Sequence, residues 1–135
     1  MLAKIGQIKR LVLLRLNPGD DILLSLRQAV QDHEINTGLI LFGIGSSTGY
    51  HLHVVKTTNL PPGNLFFKDA GPYDILSLNG FVIDGRVHAH ITLSTAEKVM
   101  GGHLEEGTQT LTFCLVVLAE TPGVDLSEWD SVKSM

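Results

Sequence analysis

The sequence predicts an α+β domain with one main helix and about seven β-strands. One stretch carries apolar residues at helical spacing, whereas the other apolar runs are short or alternating, as in strands, and turn residues separate them. With 135 residues, the chain can form one domain with a sizeable core, and it shows no internal repeat. We predict a domain over residues 1–120, followed by a polar, loosely ordered tail over residues 121–135.

The first predicted strand covers residues 7–16, where charged and apolar residues partly alternate. The turn sequence NPGD at residues 17–20 interrupts it. Its first or last residue, Asn17 or Asp20, is suited to cap the helix that follows, because both side chains accept hydrogen bonds from free backbone N–H groups.

The helix is predicted from a one-sided apolar stripe over residues 22–30, and Gly38 is expected to end it as a C-terminal cap. Residues 38–45 form a continuous apolar run, short enough to be a strand that is buried on both faces. The segment GIGSSTG at residues 43–49 resembles a phosphate-binding loop only superficially, since its spacing is wrong and a strand follows it. We interpret it as a tight turn or a bulge where the backbone is crowded.

The next strand, residues 48–55, contains His51 and His53. Residues two apart on a strand share a face, so the two imidazoles project together. No third metal donor lies nearby in the sequence, and titratable side chains lining a cleft are at least as good an interpretation as a metal site. The proline-rich segment at residues 59–64 is predicted to be a loop.

A β-hairpin is the clearest local structure in the sequence. Asp84-Gly85 separates two β-rich runs at residues 72–83 and 86–93, which is typical of a two-residue hairpin turn. Pairing across this turn places His90 opposite Asn79 and His88 opposite Phe81. The following residues are therefore expected to share one polar face: Ser77, Asn79, His88, His90 and Thr92.

Residues 93–104 are predicted to form a turn and a short strand that enters the Gly101-Gly102 pair, and residues 108–120 form the last long strand. Cys114 is the single cysteine, so the chain has no internal disulfide. Its position in an apolar run predicts a small buried hydrophobic side chain rather than a nucleophile.

His88, His90 and His103 are the candidate metal ligands. On a strand, His88 and His90 lie on one face with Cα atoms roughly 6–7 Å apart, which suits two ligands of one divalent ion. His103 can complete an open tri-histidine site of the zinc type. The alternative is a polar sheet face with scattered histidines.

Three carboxylates lie near these histidines in the sequence: Glu97, Glu105 and Glu106. Each is a candidate base or fourth ligand, although glutamates at such positions are more often solvated surface groups. No motif for a catalytic nucleophile or a dinucleotide cofactor occurs, and we assign no catalytic residue and no cofactor-binding residue.

Composition restricts the partners of the chain. The net charge of −4 argues against nucleic-acid binding by bulk electrostatics. A mean hydropathy of +0.21 with only 18% charged residues indicates that an oligomer covers part of the surface. The N-terminus lacks the apolar stretch of a signal peptide, and no run of 18 apolar residues occurs, so we expect a cytoplasmic protein without membrane association.

Over roughly residues 10–120 the sequence resembles the plant-and-prokaryote-conserved (PPC) domain, which in plants follows the AT-hooks of nuclear-localised proteins. The stretches that carry the resemblance are LRLNPGDDILLSLRQAV, GIGSSTGY, GPYDILSLNG, DGRVHAHITLS and MGGHLEEGT. The resemblance implies curved antiparallel sheets, a homotrimer and a fold similar to acetolactate decarboxylase, whose zinc ligands correspond to His88, His90 and His103.

The sequence departs from the plant proteins in two respects. It contains no AT-hook core (Arg-Gly-Arg-Pro), the element that reads the DNA minor groove. Their interaction hexapeptide corresponds to residues 71–76, but Pro72 and Asp74 stand where the plant proteins carry arginine and glutamate. Neither DNA reading nor the plant protein partners are therefore expected to carry over to this chain.

Three functions remain open, in this order. The first is a non-enzymatic, trimeric module that binds Zn²⁺ or another divalent ion and acts by binding a protein partner or a small ligand. The second is DNA binding, as described for relatives, although we expect weak binding at about 150 mM salt. The third is a zinc-dependent lyase or hydrolase on a small carbonyl substrate. Metal affinity should fall as pH drops through roughly 6.5, where imidazole protonates.

Overall fold

A computed structural model describes residues 1–132 as one antiparallel sheet with one helix against it, which confirms the α+β prediction. The sheet has the strand order β1-β6-β2-β3-β4-β5. Its elements are β1 (Arg10–Leu16), α1 (Ile22–Asp32), β2 (Thr37–Val55), β3 (Asn64–Ile83), β4 (Arg86–Ser94), β5 (Val99–Leu104) and β6 (Thr110–Glu120).

The described residues form six strands rather than seven, because the predicted strands 38–45 and 48–55 are one continuous strand, β2. The glycine-rich segment between them is a bulge, where the register against β3 shifts between Ser47 and Gly49. The backbone is crowded there, as predicted: a Cβ on Gly45 would lie 2.1 Å from the carbonyl oxygen of Phe113. Glycine therefore lets the strand continue where a turn was an equally good prediction.

Strand β3 begins at Asn64, eight residues before the predicted start at residue 72. No strand was predicted for these added residues. They nevertheless pair with the second half of β2, from Val55 opposite Asn64 to Gly49 opposite Ala70. The two strands thus form a long hairpin arm, and the loop predicted at residues 59–64 lies at its tip.

Helix α1 is capped by Asp21, whose Oδ1 accepts a hydrogen bond from the Leu24 amide, so the predicted caps Asn17 and Asp20 were wrong. The helix ends at Asp32, six residues before Gly38, which lies in β2. Gly38 was therefore wrong as the predicted C-terminal cap. The residue with left-handed backbone conformation after the helix is Glu34, with φ at 53°. The predicted apolar stripe is buried: Ile22, Leu23, Leu26, Ala29 and Val30.

The sheet closes on itself, because β5 pairs with the far half of β2 as well as with β4. The buried face of β4 carries Ala89, Ile91 and Leu93, which join the core as the alternation predicted. Cys114 is also fully buried, and burial raises the pKa of its thiol to about 11. Closure leaves the other face of β4, with its histidines, directed away from this core.

Strands β1, β6 and β2 present a row of exposed apolar side chains on the sheet surface. Cross-strand pairs connect them: Leu13 lies opposite Val117, which lies opposite Phe42, and Ile44 lies opposite Leu115. Leu13 is 73% exposed and Phe42 is 51% exposed. We call this surface the outer apolar face and define it by five residues: Leu13, Phe42, Ile44, Phe113 and Leu115.

The C-terminal segment over residues 121–132 returns to the domain, with Leu126 buried. Asp130 then lies against β4. That this tail is loosely ordered stays a prediction, and residues 133–135 lie outside the described residues. Within residues 1–132, no helix has the length and apolar character needed to span a membrane.

Candidate metal centre

The closure of the sheet places histidines from three neighbouring strands side by side. His103 on β5 lies opposite His90 on β4 and opposite His53 on β2. His88 lies two residues before His90 on the same strand and the same face. The hairpin register is as predicted, with His90 opposite Asn79 and His88 opposite Phe81.

The structure brings together the three predicted ligands, His88, His90 and His103. Each offers a ring nitrogen, and these three nitrogens lie within 4.8 Å of one another. The ring centroids are 5.5 Å apart for His88–His90, 4.7 Å for His88–His103 and 5.5 Å for His90–His103. Two nitrogens on one tetrahedral zinc ion are about 3.3 Å apart, so small ring rotations would let all three imidazoles bind one ion.

Two of these imidazoles have a lowered pKa. Burial, followed by the neighbouring His53 and His88, lowers the pKa of His103 to about 4. Burial and the same two neighbours also lower the pKa of His90, the most exposed of the three ligands. Both rings are therefore neutral at pH 7 and keep the lone pair that a metal requires. The donor set fits a divalent ion.

His88 has a carboxylate beside it. Asp130 Oδ2 lies 3.6 Å from His88 Nδ1, and the Asp130 side chain is 16% exposed. Both terminal nitrogens of Arg86 donate to this carboxylate at 3.4 Å. Burial alone would raise the pKa of Asp130, but the hydrogen bonds and charge of Arg86 lower it below the usual value. Asp130 is therefore an anion next to a candidate ligand, as is usual around metal-binding histidines.

Near His53 the structure places a carboxylate donor, Glu105, that was not expected there from the sequence. His53 Nδ1 lies 2.5 Å from Glu105 Oε1, and the His53 ring stacks on His103 with centroids 4.3 Å apart. His53, His103 and Glu105 thus form a second group of donor atoms within 4.8 Å of one another. About fifty residues separate His53 from the other two, so no local sequence pattern could have joined them.

His51 is not part of this cluster. Its Nδ1 bonds to the backbone carbonyl oxygen of Glu106 at 2.7 Å. The carboxylate of Glu106 pairs with Arg27, away from the histidines. Of the three glutamates considered from the sequence, Glu105 is thus the one that belongs to the described donor groups, whereas Glu97 and Glu106 do not.

An open cavity of about 670 Å³ adjoins the cluster. Four histidines line it: His53, His88, His90 and His103. The tip of the β2–β3 arm around Pro61 and the C-terminal segment around Asp130 form other walls. A small molecule in this cavity would lie directly against the imidazoles.

Solved structures share this fold. A plant- and prokaryote-conserved (PPC) protein from Pyrococcus horikoshii is 27% identical, with a TM-score of 0.79 over 93% of this chain and 87% of that chain. A metal-containing protein from Archaeoglobus fulgidus is 22% identical, with a TM-score of 0.81 over 93% and 89%. A Bacteroides thetaiotaomicron protein, described provisionally as DNA-binding, is 18% identical, with a TM-score of 0.71 over 90% and 87%. The last two likenesses concern the fold alone.

Among curated proteins, the bifunctional protein GlmU of Synechococcus sp. (strain JA-2-3B'a(2-13)) is 30% identical over 110 residues, or 81% of this chain. The match covers 16% of that protein, so the chain spans about a sixth of the length of the curated relatives it matches. The family model of the Plants and Prokaryotes Conserved (PCC) domain matches residues 3–122. With the shared fold, this match establishes that the chain belongs to the plant-and-prokaryote-conserved domain family.

Proposed function

We propose that this chain is a homotrimeric metal-binding module that holds one divalent ion, zinc, through His88, His90 and His103. The observation that carries the proposal is the convergence of three imidazole nitrogens within 4.8 Å, on residues that line a cavity. The module would act by presenting the ion to a small ligand or a protein partner. The ligand or partner that binds in this cavity would define the biological role of the module.

Zinc suits this donor set because it binds imidazole nitrogen in a tetrahedral arrangement and tolerates an open fourth position. When bound, it would supply a positive charge that attracts an oxygen or nitrogen donor from the cavity. The test is metal analysis of purified protein after zinc loading and dialysis. About one equivalent of zinc per chain is expected, and a protein that retains none would contradict the proposal.

We expect zinc affinity to be nearly constant above pH 6.5 and to fall as the pH drops from about 6.5 towards 4. Protons compete with zinc for imidazole, and the lowered pKa values of His90 and His103 delay that competition to more acidic pH. Competition with a coloured chelator across pH 4–8 measures the effect, with the chelator calibrated alone at each pH. An affinity that rises on acidification would contradict this assignment.

Asp130→Asn should weaken zinc binding by about 10- to 100-fold, the usual range for losing a carboxylate behind a metal-bound histidine. The carboxylate lies 3.6 Å from Nδ1, where it orients the His88 ring and adds negative charge next to the ion, and the neutral amide removes that charge. Asp125→Asn is the matched control, because Asp125 lies on the same segment but pairs with Lys4. Equal zinc affinity of the two variants would show that Asp130 does not support the site.

The outer apolar face supports the homotrimer. The long apolar runs 38–45 and 108–118 need cover, and these runs supply four of the five residues of this face. Such a contiguous apolar surface is typical of protein interfaces. Its burial between chains would remove large exposed side chains such as Leu13 and Phe42 from water.

DNA binding is the weaker candidate, and we expect a dissociation constant above the micromolar range for duplex DNA at about 150 mM salt. Four basic side chains of the described residues are already paired with carboxylates, and DNA phosphates would have to compete with those carboxylates for them. Titration of a labelled duplex measures this affinity, and sub-micromolar, sequence-selective binding would contradict the expectation. The cations concerned are paired as Lys4–Asp125, Arg10–Glu120, Arg27–Glu106 and Arg86–Asp130.

A zinc-dependent lyase or hydrolase is the other candidate, and the cavity beside the histidines favours it. A tri-histidine ion with an open position can polarise a carbonyl oxygen or lower the pKa of bound water. Such chemistry requires that a ligand reach the metal. Binding of a small ligand to the zinc-loaded protein would therefore indicate an open site, and absence of binding would indicate a purely structural zinc site.

A further inference from the structure

His53 lies beside the proposed metal centre but is not one of its three ligands, and its two ring nitrogens have different surroundings. Nδ1 is paired with the carboxylate of Glu105 at 2.5 Å. A carboxylate can only accept, so the ring donates from Nδ1, and in this tautomer the unshared lone pair is on Nε2. The side chains of His53 and Glu105 are 17% and 24% exposed, which limits other orientations of the ring.

The His53 ring is also held by two neighbouring rings. It stacks on His103 at 4.3 Å, with the planes 29° apart, and it contacts the Phe66 ring at 5.1 Å. It lines the same cavity as His88, His90 and His103. The His53 ring therefore lies beside any ligand that binds the ion from the cavity, and its Nε2 lone pair can accept a hydrogen bond from such a ligand.

We propose that His53, oriented by Glu105, selects the ligand of this centre by accepting a hydrogen bond from it at Nε2. The preferred class is a small oxygen-donor ligand with an O–H or N–H group next to the metal-binding oxygen. Ligands without that proton leave Nε2 unpaired in a half-buried site and bind less tightly. This inference rests on the proposed function, because it requires the ion on its three histidines.

The experiment compares two probes on the zinc-loaded full chain, acetohydroxamate and N-methylacetohydroxamate. Both offer the same two oxygens to zinc, but the first carries N–H where the second carries N–CH₃. Calorimetry of the wild type should show a preference of about 3- to 10-fold for acetohydroxamate, which corresponds to one net hydrogen bond. His53→Leu should abolish this preference, because the acceptor is lost.

Two further variants isolate the role of His53. Glu105→Ala removes the group that orients the ring and should reduce the preference without changing a metal ligand or His53 itself. His51→Leu is the matched control and should retain it, since His51 lies on the same strand but bonds to the Glu106 carbonyl outside the cluster. Circular dichroism and zinc content verify that each variant is folded and loaded.

The outcomes distinguish this inference from the metal proposal. A preference that persists in His53→Leu and Glu105→Ala would reflect the bulk of the methyl group, and it would overturn the role of His53. The same conclusion follows if the loaded wild type binds both probes equally or neither. Each of those results leaves the zinc proposal standing, whereas failure to retain zinc overturns both.

Discussion

Replacing His88, His90 and His103 together with alanine should reduce bound zinc from about one equivalent per chain to background. The three imidazoles are the proposed donors, and alanine offers the ion nothing in their place. None of the three supports the core, because their side chains lie on the face of the sheet opposite Ala89 and Ile91. The variant should therefore fold, and inductively coupled plasma mass spectrometry of dialysed protein measures the loss.

A second variant makes this test specific. His51→Ala also removes an imidazole from the same region of the sheet, but His51 is outside both donor groups. It should retain the full equivalent of zinc. Unchanged metal content in the triple variant would show that the ion, if present, is bound elsewhere, and the site assignment would be wrong.

Leu115→Glu should convert the homotrimer into a monomer. Leu115 lies at the centre of the outer apolar face, between Arg15 on β1 and Ile44 on β2. In a trimer that covers this face, the substitution would bury a carboxylate in each chain in place of an apolar side chain. Arg15 lies opposite and can pair with it, but a buried ion pair still costs about 1–4 kcal/mol relative to the apolar contact. In the isolated domain the same side chain is 39% exposed, so the fold should tolerate the charge. Sedimentation velocity at micromolar concentration measures the association state.

Leu24→Glu is the control for this experiment. Leu24 is 48% exposed on helix α1, apart from the outer apolar face, so its replacement should leave the trimer intact. A monomeric wild type would rule out the trimer, and a dimer would retain self-association but refute the proposed symmetry. A trimeric Leu115→Glu variant would place the interface on another surface.

The sequence predicted features that depend on neighbours within a few residues. Helical spacing identified the buried stripe of α1, and Asp84-Gly85 identified the hairpin with its register. Alternation along β4 assigned Ala89 and Ile91 to the core and the histidines to the opposite face. Periodicities of 3.6 and 2 residues arise from local backbone geometry, so they can be read without a tertiary structure.

Local patterns misplaced the ends of some elements. The glycines of residues 43–49 were compatible with a turn or a bulge, and only pairing with strands on both sides kept β2 continuous. No strand was predicted for the first residues of β3, and it is the hydrogen bonds to β2 that make them one. A strand that gains its partners at a distance cannot be delimited from its own composition.

The composition of the candidate centre was decided by the closure of the sheet. His88 and His90 share a face by alternation alone, and His103 was near enough in sequence to suggest a third ligand. His53 and Glu105 meet because β2 is long enough to bend round and pair with β5, which sets His53 opposite His103. Sequence thus determined which imidazoles project from one strand, whereas tertiary structure decided which side chains surround them. The physical reason is that side-chain direction is a local property of a strand, but the identity of its neighbours depends on the curvature and register of the whole sheet.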